Sequence, residues 1–198
     1  MNKLITEIES EIKVLKEKIQ ELRQELPNCK VQLSLFYDND DFFYEISAYK
    51  VDNILYAGEK PYSLFFQEEI IDELKAKGIT HIINLMQSHE YKCYDTSLFS
   101  NNFKITNIEL VDNSVPEIDK ILEVLYAIDN NEKTYLHCNL GLGRTGVMVA
   151  VYLSKKYAFV PDTLISKIEE LKQNSKLHPF SSPVTKEQRE FVKSTKFR

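Results

Sequence analysis

Apolar positions in the first part of the chain fall at Ile5, Ile8, Ile12, Leu15, Ile19, Leu22 and Leu26. Steps of three and four alternate, which fills the a and d positions of a heptad, and Glu, Lys, Gln and Arg occupy the other faces. This predicts one helix over residues 3–26, stopped by Pro27. Such a helix pairs with a second copy or a partner helix, or it packs on its own domain. Lys and Glu nearly balance along it, which argues against a membrane-surface role. The runs VQLSLFY, DFFYEISAYKV and NILYAGE between residues 31 and 59 read as strands, with a turn at DND, 38–40, and an end at Gly58 and Pro61. FFQEEIIDELKAK, 65–77, has helical spacing, and Gly78 stops it. ITHIINL, 79–85, and FKITNIEL, 103–110, are apolar strands, and 86–103 holds one short helix. Ser114, Pro116 and Glu117 form a capping box that opens a helix to about Ile128. KTYLH, 133–137, is a strand. Helices then follow at 144–157, at 161–173 and from Thr185, where T-K-E-Q is a second capping box.

From residue 54 onward, strands alternate with helices. The pattern predicts an α/β fold: a central twisted, mostly parallel sheet flanked by helices, preceded by the heptad-patterned helix. The domain division falls at Pro27, giving 1–27 and 28–198. Ligands of such sheets bind beyond the carboxyl ends of the strands.

Composition narrows the classes. With 43% hydrophobic residues the chain can build a core, and a net charge of −5 speaks against nucleic acid as a partner. No apolar run is long enough to span a membrane, and the first residues reach charges before any signal-peptide core can form. The expected setting is therefore cytoplasmic. Cys29, Cys93 and Cys138 are odd in number and widely spaced, which implies neither a disulfide framework nor a metal site. No cofactor is expected. Arginine occurs only at Arg23, Arg144, Arg189 and Arg198, so an interior one invites a reason.

That reason lies in His137-Cys138-Asn139-Leu140-Gly141-Leu142-Gly143-Arg144-Thr145-Gly146, between a strand and a Val/Ala/Met-rich helix. Gly141 and Gly143 let main-chain N–H groups turn inward, and a ring of such groups at a helix N-terminus binds an anion. Cys138 at the base of the ring would have its thiolate stabilised by the same groups. Arg144 can clamp two phosphate oxygens, and Thr145 can offer its hydroxyl to the sulfur. The phosphate would lie on Asn139, Leu140, Gly141, Leu142, Gly143 and Arg144. A thiolate beneath a bound phosphate is arranged to attack phosphorus. No Gly-Lys-Ser/Thr is present, so this is not a nucleotide loop.

The string resembles the Cys-x5-Arg signature of the protein tyrosine phosphatase superfamily. LYAGEKP, KGITHIINL, VDNSVP and SSPVTKEQREFV are similar to segments of its compact dual-specificity members. The resemblance covers roughly residues 52–193 and leaves out the N-terminal helix. It implies a phosphocysteine intermediate without a metal, with Cys138, Arg144, Thr145 and a general acid as the catalytic groups. It places that acid at Asp112, with Asp119 as the weaker alternative and Asn113 orienting the loop. It gives His137 the role of ordering the loop, and some members use a glutamine near Gln188 to position water.

The loop between Cys138 and Arg144 carries no basic residue, which lowers a highly phosphorylated inositide as substrate. By the same resemblance, the stretch from Leu85 to Phe103 lacks the long insertion that deepens the pocket of the larger tyrosine-specific members, so the expected pocket is shallow; Tyr91 and Tyr94 are read as packing aromatics, with its rim as their alternative place. The expected substrate is a phosphoprotein, carrying phosphotyrosine and also phosphoserine or phosphothreonine. The alternatives are a phosphoinositide, sugar or nucleotide-end phosphate, and an inactive phospho-binding scaffold that works through residues 3–26.

Overall fold

The computed structural model describes residues 43–63, 66–93, 99–129 and 132–194, together with Glu11, Lys13, Val14, Glu17 and Lys18. Two compact units divide the chain, Met1–Asn39 and Asp40–Arg198. In the first unit the five described residues are helical and exposed. The heptad seam, Cys29, the 31–37 run and the DND turn lie outside the described residues, as do Phe65, Tyr94 and the side chains of Tyr91 and Cys93.

The second unit is built on a five-stranded sheet. Its strands are β1 (Ala48–Lys50), β2 (Leu55–Gly58), β3 (His81–Asn84), β4 (Lys104–Asn107) and β5 (Thr134–His137). Their spatial order is β1-β2-β5-β3-β4. β1 runs antiparallel to β2, and the other pairs are parallel. The expected α/β architecture is therefore present. The strands are shorter than the apolar runs that announced them, and 43–47 is bent chain rather than strand. Alternation along each strand feeds two cores. Leu55, Ala57, Ile83 and Leu136 face one layer, while Tyr56, Ile82 and Tyr135 face the other.

Among the described residues, five helices flank the sheet: α1 (Gln67–Ala76), α2 (Ile118–Ile128), α3 (Gly143–Tyr157), α4 (Pro161–Lys172) and α5 (Lys186–Ser194), with a 3-10 turn at Ser88–Cys93. α3 is buried without a break from Arg144 to Ser154, which explains its small and branched residues: no face of it meets water there. α1 ends before Gly78, whose φ of +74° turns the chain out of the helix. The capping box at Ser114 does not form. α2 begins at Ile118 with Glu117 as an uncapped N-cap, and the Ser114 hydroxyl donates to Val111 O at 2.8 Å. Ser114 thus closes a turn of its own instead of starting the helix. The box at Thr185 does form, with reciprocal 3.2 Å bonds between Thr185 and Gln188.

One carboxylate ties the β1–β2 turn to the far end of α3. Asp52 Oδ1 accepts from Ile54 N and Leu55 N, both at 2.9 Å. Its Oδ2 accepts from Tyr152 and Tyr157 hydroxyls, each at 2.6 Å, and from Lys156 Nζ at 2.9 Å. Burial alone would raise its pKa, but these donors prevail and hold it down at about 2. The folded state therefore gains stability from Asp52 above its ordinary value of 3.8 and loses it as pH falls toward 2. Asp52→Asn is expected to cost about 2 kcal/mol in urea denaturation at neutral pH. The gap to wild type should close as pH drops through that window.

Candidate active site

Parallel register aligns the carboxyl ends of four strands. Gly58 and Asn84 both pair with His137, and Asn84 also pairs with Asn107. The segments that follow these ends converge on one place: Glu59–Lys60, Cys138–Leu142, Leu85–Glu90 and Ile108–Asp112.

Residues 138–144 form a loop from the end of β5 into α3, and the chain buttresses it on several sides. Lys60 N–H donates to Asn139 O at 3.1 Å, and Leu85 N–H donates to His137 O at 2.9 Å. Ser182 Oγ donates to Leu142 O at 2.8 Å. Gly141 has φ +73°, and a Cβ on it would collide with the main chain of Gly58 and Glu59. Gly146 likewise leaves room for the Ser182 hydroxyl. The first intrahelical bond of α3 runs from Gly146 N–H to Leu142 O, so the N–H groups of 143–145 have no partner within the helix. Cys138 is a free thiol at the base of the loop and is 3% exposed. Asn139 and Leu140 project outward, and Leu142 is buried.

Arg144 is 1% exposed, yet its charge is matched. Nη1 and Nη2 donate to the two oxygens of Glu90 at 2.6 and 2.8 Å, a bidentate pair, and Nη1 also reaches Leu110 O at 3.3 Å. Gln87 N–H holds Glu90 in turn, at 2.7 Å. The Arg144 bond holds the Glu90 carboxyl below its usual range, against the opposing effect of burial. Nε of Arg144 lies 3.1 Å from Asp112 Oδ1 without hydrogen-bond alignment, so this N–H is ion-paired but has no hydrogen-bond partner among the described residues. Glu90 went unread in the sequence. The available signal was a buried arginine, which demands a carboxylate, together with a polar stretch just past a strand neighbouring β5.

Asp112 sits on an exposed turn above this arginine. Asn113 has φ +56° and donates from Nδ2 to Asp112 Oδ2 at 3.1 Å. Asp119 lies exposed in the first turn of α2 and makes no ion pair with Arg144 among the described residues. Thr145 Oγ1 is buried with no hydrogen-bond partner among the described residues, so the expected donation to sulfur is not made in this conformation. Gln188 is buried beside Gly143.

His137 is fully buried and stacks on Tyr135 at 5.9 Å. Its Nδ1 lies 3.2 Å from Cys138 O, and because a carbonyl only accepts, Nδ1 carries the proton. Burial depresses its pKa to about 4, helped by the positive charges of Arg144 and Lys60 and opposed by that hydrogen bond. The ring is therefore neutral near pH 7.

A buried thiol at the base of a glycine-hinged loop, with a paired arginine and a carboxylate above it, stands on the fold of the protein tyrosine phosphatase superfamily. More narrowly, the chain belongs to the family described as Tc-R-P, polymorphic toxin system, DSP-PTPase phosphatase, whose family model matches residues 58–158. Mouse dual specificity protein phosphatase CDC14A is 28% identical over 123 residues, covering 61% of this chain and 20% of that protein. The chain thus spans about a fifth of the length of the curated relatives it matches. PTPMT1 in complex with PI(5)P superposes with TM-score 0.60 at 17% identity, covering 74% of this chain and 92% of that one. The human tyrosine phosphatase-like serine/threonine/tyrosine-interacting protein does so with TM-score 0.60 at 18% identity, covering 75% and 94%.

Glu90→Gln removes the charge that balances Arg144. It is expected to cost about 3 kcal/mol of stability by leaving a buried charge unmatched, and to raise KM for a phosphate ester about 10-fold. Urea denaturation and steady-state kinetics check both. The depressed His137 has the opposite preference to its unfolded form. Its stabilisation is complete above pH 6.5 and falls by about 3 kcal/mol as pH drops toward 4. His137→Gln should flatten the pH–stability curve in that window by roughly one proton's slope.

Proposed function

We propose that this protein hydrolyses phosphate monoesters on phosphoproteins, phosphotyrosine and also phosphoserine or phosphothreonine, through a phosphocysteine intermediate. The observation that carries this reading is the convergence of Cys138, Arg144 and Asp112 at aligned strand ends, with Arg144 preset by Glu90. The phosphate sits on the 139–144 N–H groups and the Arg144 guanidinium. Cys138 Sγ attacks phosphorus and the P–O ester bond breaks. Asp112, as the acid, delivers its proton to the departing oxygen. The Asp112 carboxylate then takes a proton from water, whose oxygen attacks phosphorus; the S–P bond breaks and inorganic phosphate leaves. Arg144 follows the charge on the phosphoryl oxygens throughout, and its pairing with Glu90 fixes the fork before substrate arrives.

The rim favours a protein substrate. Leu140 on the loop and Val111 beside Asp112 are 63% and 60% exposed, and residues 139–143 include no basic side chain. Apolar rim contacts suit side chains flanking a phosphorylated residue better than a densely charged headgroup. The second reading, a phosphoinositide or other non-protein phosphate, draws on the fold shared with PTPMT1, whose structure holds PI(5)P. The heptad pattern over 3–26 supports a homodimer or a partner helix as an additional feature of the full chain.

Wild type should turn over p-nitrophenyl phosphate in the presence of chelator. Cys138→Ser should abolish turnover, and Asp112→Ala should lower kcat on phenyl phosphate, whose leaving group needs a proton, by about 100-fold or more. A panel of phosphotyrosine, phosphoserine and phosphothreonine peptides against phosphoinositides then decides the substrate. A higher kcat/KM on the lipid headgroups than on every peptide would overturn the protein reading.

A further inference from the structure

Gln188 lies in the first turn of α5 and is fully buried. Its main-chain N–H and its Oε1 are both engaged by Thr185 in the reciprocal cap, at 3.2 Å each. Its Nε2 points the other way and donates at 3.0 Å to the carbonyl of Ser114, which is 74 residues distant in sequence. The same amide lies against the phosphate loop. A Cβ on Gly143 would stand 3.4 Å from Oε1 and 3.5 Å from Nε2.

Ser114 is not an arbitrary anchor. Its hydroxyl closes residues 111–114 into a turn by donating to Val111 O, and Asn113 within that turn donates to the Asp112 carboxylate. Val111, Asp112 and Asn113 are all exposed. The turn that carries the acid therefore stands in solvent and is gripped at its base by a buried amide rooted in a capped helix. A buried amide that loses its acceptor bears a desolvation cost, so the bond resists opening more than an exposed one does.

We propose that Gln188 is a positioning residue, acting through Ser114 to hold the 111–114 turn so that Asp112 stays over the bound phosphate. The proposal rests on the reaction above with Asp112 as acid. It gives Gln188 a part in ester cleavage, a different step from positioning water in the second half of the reaction.

The test uses the full chain as wild type, Gln188→Met and Thr185→Ala. It compares p-nitrophenyl phosphate, whose leaving group departs with little help, with phenyl phosphate, whose leaving group needs a proton. Hydrogen exchange is followed at residues 111–115. Gln188→Met is expected to lower kcat on phenyl phosphate about 10-fold and on p-nitrophenyl phosphate less than about 3-fold, a partial loss of the general-acid contribution. Exchange at 111–115 should quicken. Thr185→Ala removes the helix cap but leaves the Ser114 bond, and should lower Tm while keeping the ratio between the two substrates. Equal losses on both substrates in Gln188→Met overturn the proposal, since that is the mark of a merely structural residue. A burst of phenol followed by slow turnover also overturns it, because the defect then lies in hydrolysis of the phosphocysteine. A wild type that turns over neither ester overturns the phosphatase reading itself. In that case exchange decides the tether: faster exchange in Gln188→Met upholds it, and unchanged exchange sinks it.

Discussion

A guanidinium taken out of water must be answered by a carboxylate, and the site is organised around that demand. Arg144 is all but fully buried, and its bidentate pair with Glu90 supplies the answer. Two consequences follow from the one contact. The arginine's fork is held in a single orientation, which in the proposed reaction leaves little freedom to be lost on binding phosphate. The Ser88–Cys93 turn, which carries Glu90, thereby becomes part of the candidate site. An ammonium could not fill this role, because it lacks the planar fork that satisfies two carboxylate oxygens on one edge and keeps another edge for substrate.

Rigid and movable parts are separated by where their hydrogen bonds go. The 138–144 loop is fixed from three directions, by the turn after β2, by the residue after β3 and by Ser182, and Gly141 and Gly146 are demanded by main chain and by a hydroxyl pressed against them. The acid turn has exposed side chains, a left-handed Asn113 and local bonds within itself. A nucleophile benefits from a fixed anion hole, whereas an acid must admit substrate and release product. The distribution of buried and exposed bonds matches that difference. The neutral His137, stacked on Tyr135 and bonded to the Cys138 carbonyl, belongs to the rigid part.

Much of the fold was legible because its signals are local. Short apolar runs became strands, helical spacing became α1 to α5, and T-K-E-Q became the cap it spelled. The S-V-P-E box misled because Ser114 had another acceptor within reach, the carbonyl of Val111, and a hydroxyl that closes one turn does not cap the next helix. Strand ends were overrun for a related reason. Apolar residues such as Ile79, Leu85, Phe103 and Ile108 are buried beyond the strands, so burial extends past the pairing.

By itself the sequence determined which groups share the 137–146 loop. Thiol, glycines, arginine and hydroxyl lie within ten consecutive residues, and their spacing along one strand–loop–helix turn fixes their mutual placement. Only the tertiary structure decided which distant groups serve that loop. Glu90 is 54 residues from Arg144, and Ser114 is 74 from Gln188. No local pattern links either pair. Glu90 meets Arg144 because parallel pairing sets Gly58, Asn84, Asn107 and His137 at one level, so the segments leaving four strands reach the same point, and Gln188 reaches Ser114 from α5, which packs on α3 and α4.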